Sequence, residues 1–267
     1  MIKELIGKNC MVMAHRGANA YAPQNTMPAF QKAFDMGFTS FETDIHCTKD
    51  DVLVVCHDYK INRVSDGIGK IADYSLDFLR TFDFGSYFND SFRNLKIATL
   101  DDLLNLVSSE TASGIMNIEV KHPQNGDRTI VEKLIDSVKA HGLYERLLIS
   151  SFDAGLLLHA KKYAPDCRTG LLYPGPPDTQ NSIKNFLIPP FNLAKNIGAY
   201  SLHPVHNLIT GDFVHRAHGF GFKICAWTVN KRKDLERCIS SGVDAVITDN
   251  PELARDTINR LNLQKYI

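Results

Sequence analysis

Several things are missing from this sequence, and each absence removes a class of protein. Thirty lysines and arginines face thirty aspartates and glutamates, so the formal net charge is zero. There is no overall field to draw the chain onto nucleic acid or an anionic membrane. No apolar run approaches the roughly 18 residues of a membrane span. The opening Met1-Ile-Lys-Glu-Leu-Ile-Gly-Lys-Asn-Cys10 is too charged for a secretory signal peptide. The six cysteines (Cys10, Cys47, Cys56, Cys167, Cys225, Cys238) form no CxxC pair, which leaves no zinc-ligand spacing. Several sit in apolar runs, where a reduced thiol acts as a small hydrophobe, and the expected setting is reducing and cytoplasmic. No glycine-rich phosphate loop follows a strand-like run, which counts against an open doubly wound sheet. With no repeat of fixed period and no shift in composition, residues 1–267 read as one domain.

What is present is a regular alternation. Cys10 to Ala14 is a short apolar strand that ends at His15. Asn25 or Thr26 then caps a helix with Pro28 in its first turn, Ala29, Phe30, Ala33 and Phe34 on its apolar face, and Gly37 at its end. A strand over 39–45 follows, and an extended piece over 51–56 delivers His57-Asp58. Residues 59 to about 97 break the rhythm. Phe78, Phe82, Phe84, Tyr87, Phe88 and Phe92 crowd together there, too aromatic for disorder and too long for an ordinary connection, so the stretch reads as a small folded insertion.

Alternation then resumes. Thr99 and Asp102 form a capping box for a helix to Val107, and Asp153 caps another to Tyr163. Strands are expected over 114–120, 146–151, 167–173, 199–202, 222–227 and 243–248. A loop is expected at Pro174-Gly-Pro-Pro, an interrupted helix over 183–197, and a last helix opened by Pro251. Eight strand–helix units in a chain of this size point to the α/β class and a single TIM (β/α)8 barrel.

Active sites of such barrels lie at the C-terminal ends of the strands, and unusual charges collect there. Glu42 and Asp44 are two apart, as are Glu119 and Lys121, so each pair shares one face of its strand. His15 and Arg16 follow the first strand, Trp227 closes the seventh and Asp249 the eighth. Three carboxylates brought together repel one another unless protons or a cation intervene. All-oxygen ligation suits Mg²⁺ or Ca²⁺ over zinc. Arg16 and Lys121 beside the acids fit an anionic substrate with phosphate oxygens, and His15 and His57 are able to exchange protons near neutral pH.

The ordered set His15-Arg16-Gly17, Pro23-Gln24-Asn25-Thr26, Glu42-Thr43-Asp44, Thr48-Lys49-Asp50 leading to His57-Asp58, and Glu119-Val120-Lys121 resembles the glycerophosphodiester phosphodiesterase family. Thr99-Leu100-Asp101-Asp102-Leu103, Trp227-Thr228-Val229-Asn230 and Gly242 to Pro251 continue the resemblance over nearly the whole chain. It implies a metal-dependent TIM barrel that splits glycerophosphodiesters into sn-glycerol 3-phosphate and an alcohol. By position it implies Glu42, Asp44 and Glu119 as ligands of one divalent cation, His15 and His57 as the acid/base pair, and Arg16 and Lys121 as phosphate holders. The stretch after His57 resembles that family's insertion. One departure stands out: the family usually has glutamate where this chain has Gln24.

Plainer readings exist for each residue. Glu119 with Lys121 alone is a structural ion pair, His203 and His206 are read as structural, and Asp249 is read as the cap of the last helix. Trp227 is read as a wall of the substrate cleft, with packing over the barrel mouth as the alternative. Lys231-Arg232-Lys233 is a solvated helix start. The aromatic insertion and Phe186 to Phe191 form either a lipid-facing lip or a satellite core. The expected partner is a small glycerophosphodiester, without nucleic acid or membrane insertion. Lysophospholipase D action on acylated substrates and a non-catalytic phosphodiester-binding barrel are the alternatives; retention of both histidines and all three acids argues against the second.

Overall fold

A computed structural model describes residues 10–110, 113–123, 126–173 and 190–264. The loop expected at 174–177, the start of the helix expected from 183, and Phe186 to Pro189 of the possible lip lie outside the described residues. No helix among the described residues is long and apolar enough to cross a membrane. The chain divides into two compact units, Arg16–Leu147 and Met1–His15 with Leu148–Ile267.

In the 16–147 unit, β2 (Phe41–Cys47) runs parallel to β4 (Met116–Val120), with Glu42 opposite Asn117 and Asp44 opposite Glu119. β3 (Leu53–Val55) returns antiparallel to β2, Ile45 against Val55 and Cys47 against Leu53. Helix α1 (Met27–Asp35) lays Phe30 and Phe34 on Phe41 of β2, ring centroids 5.2 and 6.0 Å apart. Thr26 stands at its N-cap, but its hydroxyl donates back to the Pro23 carbonyl and does not cap the helix. Gly17 has a φ of +79°, and a Cβ there would fall 2.6 Å from the Ala29 backbone, so only glycine fits this turn.

The insertion folds, as its aromatic content implied. Three 3₁₀ turns (Ile61–Arg63, Ile71–Asp73, Asp90–Phe92) and α2 (Leu76–Leu79) enclose a satellite core of Val54, Cys56, Ile61, Val64, Ile71, Leu79, Phe84 and Ile97. Helix α3 (Leu100–Ser109) carries the expected capping box of Thr99 and Asp102, and α4 (Thr129–Ala140) follows β4.

The second unit holds β1 (Met11–His15) and most of β5 (Leu147–Ser151), then β6 (Thr169–Tyr173), β7 (Ser201–Pro204), β8 (Lys223–Ala226) and β9 (Ala245–Thr248). Neighbours β5–β6, β6–β7, β7–β8, β8–β9 and β9–β1 are all parallel. Between them run α5 (Ala154–Tyr163), α6 (Pro190–Ile197), α7 (Gly211–Gly219) and α8 (Arg232–Ser240), and α9 (Pro251–Gln264) follows β9. Asp153 caps α5 as expected, accepting from the Gly155 N–H at 2.7 Å. Helix α9 is capped by Asn250, whose side chain accepts from the Leu253 N–H at 3.0 Å, and not by Asp249. The cap precedes the first helical residue, here Pro251, which leaves Asp249 one position too early.

Candidate active site

The strand period of two does what the spacing predicts. Glu42 and Asp44 leave β2 on the face from which Glu119 leaves β4, and all three are buried, with 5, 0 and 8% of their surfaces exposed. One ligand atom from each lies within 4.8 Å of the others. Two oxygens that share one calcium ion at about 2.4 Å each stand no more than about 4.8 Å apart, so this spacing is compatible with one shared ion.

Burial and mutual repulsion divide the three acids. Burial, reinforced by the charge of Asp44, raises Glu42 well above the ordinary carboxylate range. Burial, resisted by the Lys121 cation but aided by Asp44, pushes Glu119 up to about 7. Asp44 is held low despite burial because Lys121 and Arg16 both face it. Lys121 Nζ lies 2.7 Å from Asp44 Oδ1 and 2.6 Å from Glu119 Oε1, and Arg16 Nε lies 3.4 Å from Asp44 Oδ2. Asp44 is therefore the member that most favours ionisation, and the two glutamates take up protons more readily than ordinary carboxylates. Buried and all-oxygen, with burial and mutual repulsion opposing full ionisation of its glutamates, this set fits a hard divalent cation.

Asn25, expected as a possible helix cap, and Arg16, expected as a phosphate holder, both take left-handed backbone beside the acids. Asn25 has a φ of +57°; its amide nitrogen donates to Asp44 Oδ2 at 2.9 Å and its oxygen accepts from the Thr43 hydroxyl at 2.9 Å. Arg16 also has a φ of +57°, with its N–H on the Glu42 carbonyl and its own carbonyl taking the Asn25 N–H. Non-glycine residues in this region cost energy and persist where the surroundings hold them. Gln24 accepts from Arg16 Nη1 through its amide oxygen, so the contact to the guanidinium survives the loss of a carboxylate at position 24.

His57 belongs to the same unit. Its Nδ1 lies 2.6 Å from Asp58 Oδ1, and Arg63 donates to Asp58 from Nε at 2.8 Å and from Nη2 at 3.1 Å. A carboxylate only accepts, so Nδ1 carries the proton and Nε2 is the nitrogen left for chemistry. Burial pushes His57 down to about 4, which leaves it neutral at neutral pH. His46, two residues beyond Asp44, donates from Nε2 to the His57 carbonyl at 3.1 Å.

In the other unit His15 Nδ1 lies 2.5 Å from Asp249 Oδ1, while Asp249 Oδ2 accepts from Asn230 Nδ2 at 2.5 Å. Asp249 is thus a partner of His15, and the cap expected of it is supplied by Asn250. Trp227 donates from its indole to the His203 carbonyl at 2.6 Å and meets Phe152 edge-on, centroids 5.6 Å apart. The His203 ring is fully buried across Gly170, and His206 is fastened by Arg237.

The model of the glycerophosphoryl diester phosphodiesterase family matches residues 15–253. The chain belongs to that family. A glycerophosphodiester phosphodiesterase of Caldanaerobacter subterraneus subsp. tengcongensis is 36% identical over 242 residues, 91% of this chain and 95% of the relative. Among solved structures, an Oleispira antarctica phosphodiesterase in complex with the product sn-glycerol-3-phosphate is 25% identical, with a TM-score of 0.83 over 96% of this chain and 99% of its own. A glycerophosphodiester phosphodiesterase from Parabacteroides distasonis, 24% identical, gives a TM-score of 0.78 over 95% of this chain and 98% of its own. The fold is the TIM barrel of the glycerophosphodiester phosphodiesterase structures, as the alternation predicted, and β3 is the strand beyond the eight.

Proposed function

We propose that this enzyme hydrolyses glycerophosphodiesters to sn-glycerol 3-phosphate and an alcohol, with one divalent cation, Mg²⁺ or Ca²⁺, held by Glu42, Asp44 and Glu119. The buried carboxylate set flanked by Arg16 and Lys121 carries this reading. Charge supports the substrate class. Once a cation has displaced the glutamate protons, the three ionised acids against two basic side chains sum to one negative charge. A divalent ion reverses that to one positive charge, which a phosphodiester monoanion neutralises.

When bound, the cation supplies Lewis acidity toward a phosphoryl oxygen. Arg16 and Lys121 bind the remaining phosphate oxygens and stabilise charge that grows on them in the transition state. His57, neutral and with Nε2 free of the Asp58 bond, takes the proton of the nucleophile, a water or the glycerol 2-hydroxyl; in the second case a water then adds to the cyclic phosphate and opens it to glycerol 3-phosphate. His15, oriented through Nδ1 by Asp249, delivers a proton from Nε2 to the departing alkoxide. Trp227 walls the substrate cleft. The same reading takes residues 1–267 as one domain of the family, with its insertion at about 59–97. It also places the protein in a reducing cytoplasm, in keeping with the free thiols of Cys10, Cys47, Cys56, Cys225 and Cys238.

The test is release of glycerol 3-phosphate from glycerophosphocholine, with and without a chelator. The expected result is release that the chelator abolishes and added Mg²⁺ or Ca²⁺ restores. Release that survives exhaustive chelation contradicts the cation's part. Choline phosphate in place of glycerol 3-phosphate contradicts the bond assigned, and release from acylated substrates alone would make the enzyme a lysophospholipase D.

A further inference from the structure

One side chain in β4 is unexplained by the site as described. Asn117 has 0% of its surface exposed, and neither its amide oxygen nor its amide nitrogen has a hydrogen-bond partner. Buried amides are almost always bonded, because removing one from water without replacing its partners is costly. An unmet acceptor and an unmet donor on one buried side chain call for a ligand that the polypeptide does not supply.

The strands give that ligand an address. Asn117 lies two residues before Glu119, so the two side chains leave β4 on one face. In the β2–β4 ladder its Cα stands opposite Glu42, as the Cα of Glu119 stands opposite Asp44. Asn117 therefore completes a two-by-two block on adjacent strands, and the other three members are the clustered carboxylates. Its side chain is one methylene shorter than that of Glu42 beside it. Hard cations fill the positions that protein oxygens leave open with water.

We infer that Asn117 is the fourth member of the cation site, its amide oxygen accepting a hydrogen bond from a water that the bound divalent ion holds. Polar groups that grip the ligands and waters of a metal from behind tune its affinity strongly. Asn117 has this place only if the triad is a divalent-cation site; the reaction carried out there does not enter.

The test is calorimetric titration of Mg²⁺ and of Ca²⁺ into wild type, Asn117→Leu and Asn117→Asp, with melting temperatures taken in the presence and absence of the ion. Leucine keeps the volume and removes both polar atoms. The ion-free melting temperature should match or exceed that of wild type, and cation affinity should fall roughly 10- to 100-fold. Aspartate keeps an oxygen acceptor and adds a fourth carboxylate. Its ion-free form should melt lower, and its cation affinity should equal or exceed that of wild type. Unchanged affinity in Asn117→Leu overturns the inference. So does an Asn117→Asp protein that binds the cation as poorly as the leucine variant, and this arm decides the matter if leucine prevents folding. Wild type that binds the cation without hydrolysing glycerophosphocholine refutes the proposed reaction and leaves Asn117 in the site. Wild type that binds no divalent cation refutes both.

Discussion

His57 and His15 are each tied through Nδ1 to an aspartate, at 2.6 Å to Asp58 and 2.5 Å to Asp249, but the two aspartates keep different company. Arg63 grips Asp58 with two N–H groups and brings a counter-charge, whereas Asn230 holds Asp249 with a neutral amide and brings none. A carboxylate shared with arginine does less to stabilise an imidazolium beside it. Burial then wins at His57, which stays neutral, the state a proton acceptor needs. Identical first contacts thus stand before unlike second partners, a guanidinium behind Asp58 and an amide behind Asp249.

The largest test of that comparison removes the rings. His57→Ala and His15→Ala should each lower kcat by about 10²- to 10⁴-fold, the usual share of general acid–base catalysis. The rise in melting temperature on adding the cation should be unchanged in both. Near-normal turnover in either variant removes that residue from the pair. A smaller effect separates the aspartates. Asp249→Asn should lower kcat more than Asp58→Asn, since the Arg63 guanidinium already offsets the charge that Asp58→Asn removes; about tenfold separates them if a typical charge–imidazole interaction is lost. The reverse order breaks the distinction.

The smallest effect is the sharpest. Arg63→Met should change kcat at neutral pH only about two- to fivefold, but should move the acidic limb of the pH–rate profile. Without the guanidinium, Asp58 bears its full charge, favours protonated His57, and shifts that limb to higher pH. A limb that stays in place, or moves to lower pH, contradicts the clamp.

Much of this centre was legible in the chain itself, for a local reason. Strand periodicity decides which residues share a face, so Glu42 with Asp44 and Glu119 with Lys121 announce themselves over three residues each. Asp249 did not. Its partner His15 lies 234 residues away, and an acid just before Asn-Pro carries the same local signal as a helix cap. Asn25 was hidden for a similar reason. A turn asparagine looks like a cap, and nothing local shows that its amide reaches Asp44. In the insertion, aromatic crowding foretold a folded satellite, but not which rings it buries. Phe84 is enclosed while Phe78 and Phe88 are 46 and 39% exposed, a difference that composition does not carry.

The paired carboxylates lead to one decisive measurement, a calorimetric titration of the divalent cation into the wild-type protein at pH 6 and at pH 8. Burial keeps protons on Glu42 and on Glu119, the latter with a pKa pushed up to about 7, so the ion must displace them at the lower pH. The predicted result is one binding site per chain, tighter at pH 8, with protons released on binding at pH 6. Absence of binding at both pH values, or an affinity indifferent to pH with no proton released, would contradict a cation held by Glu42, Asp44 and Glu119.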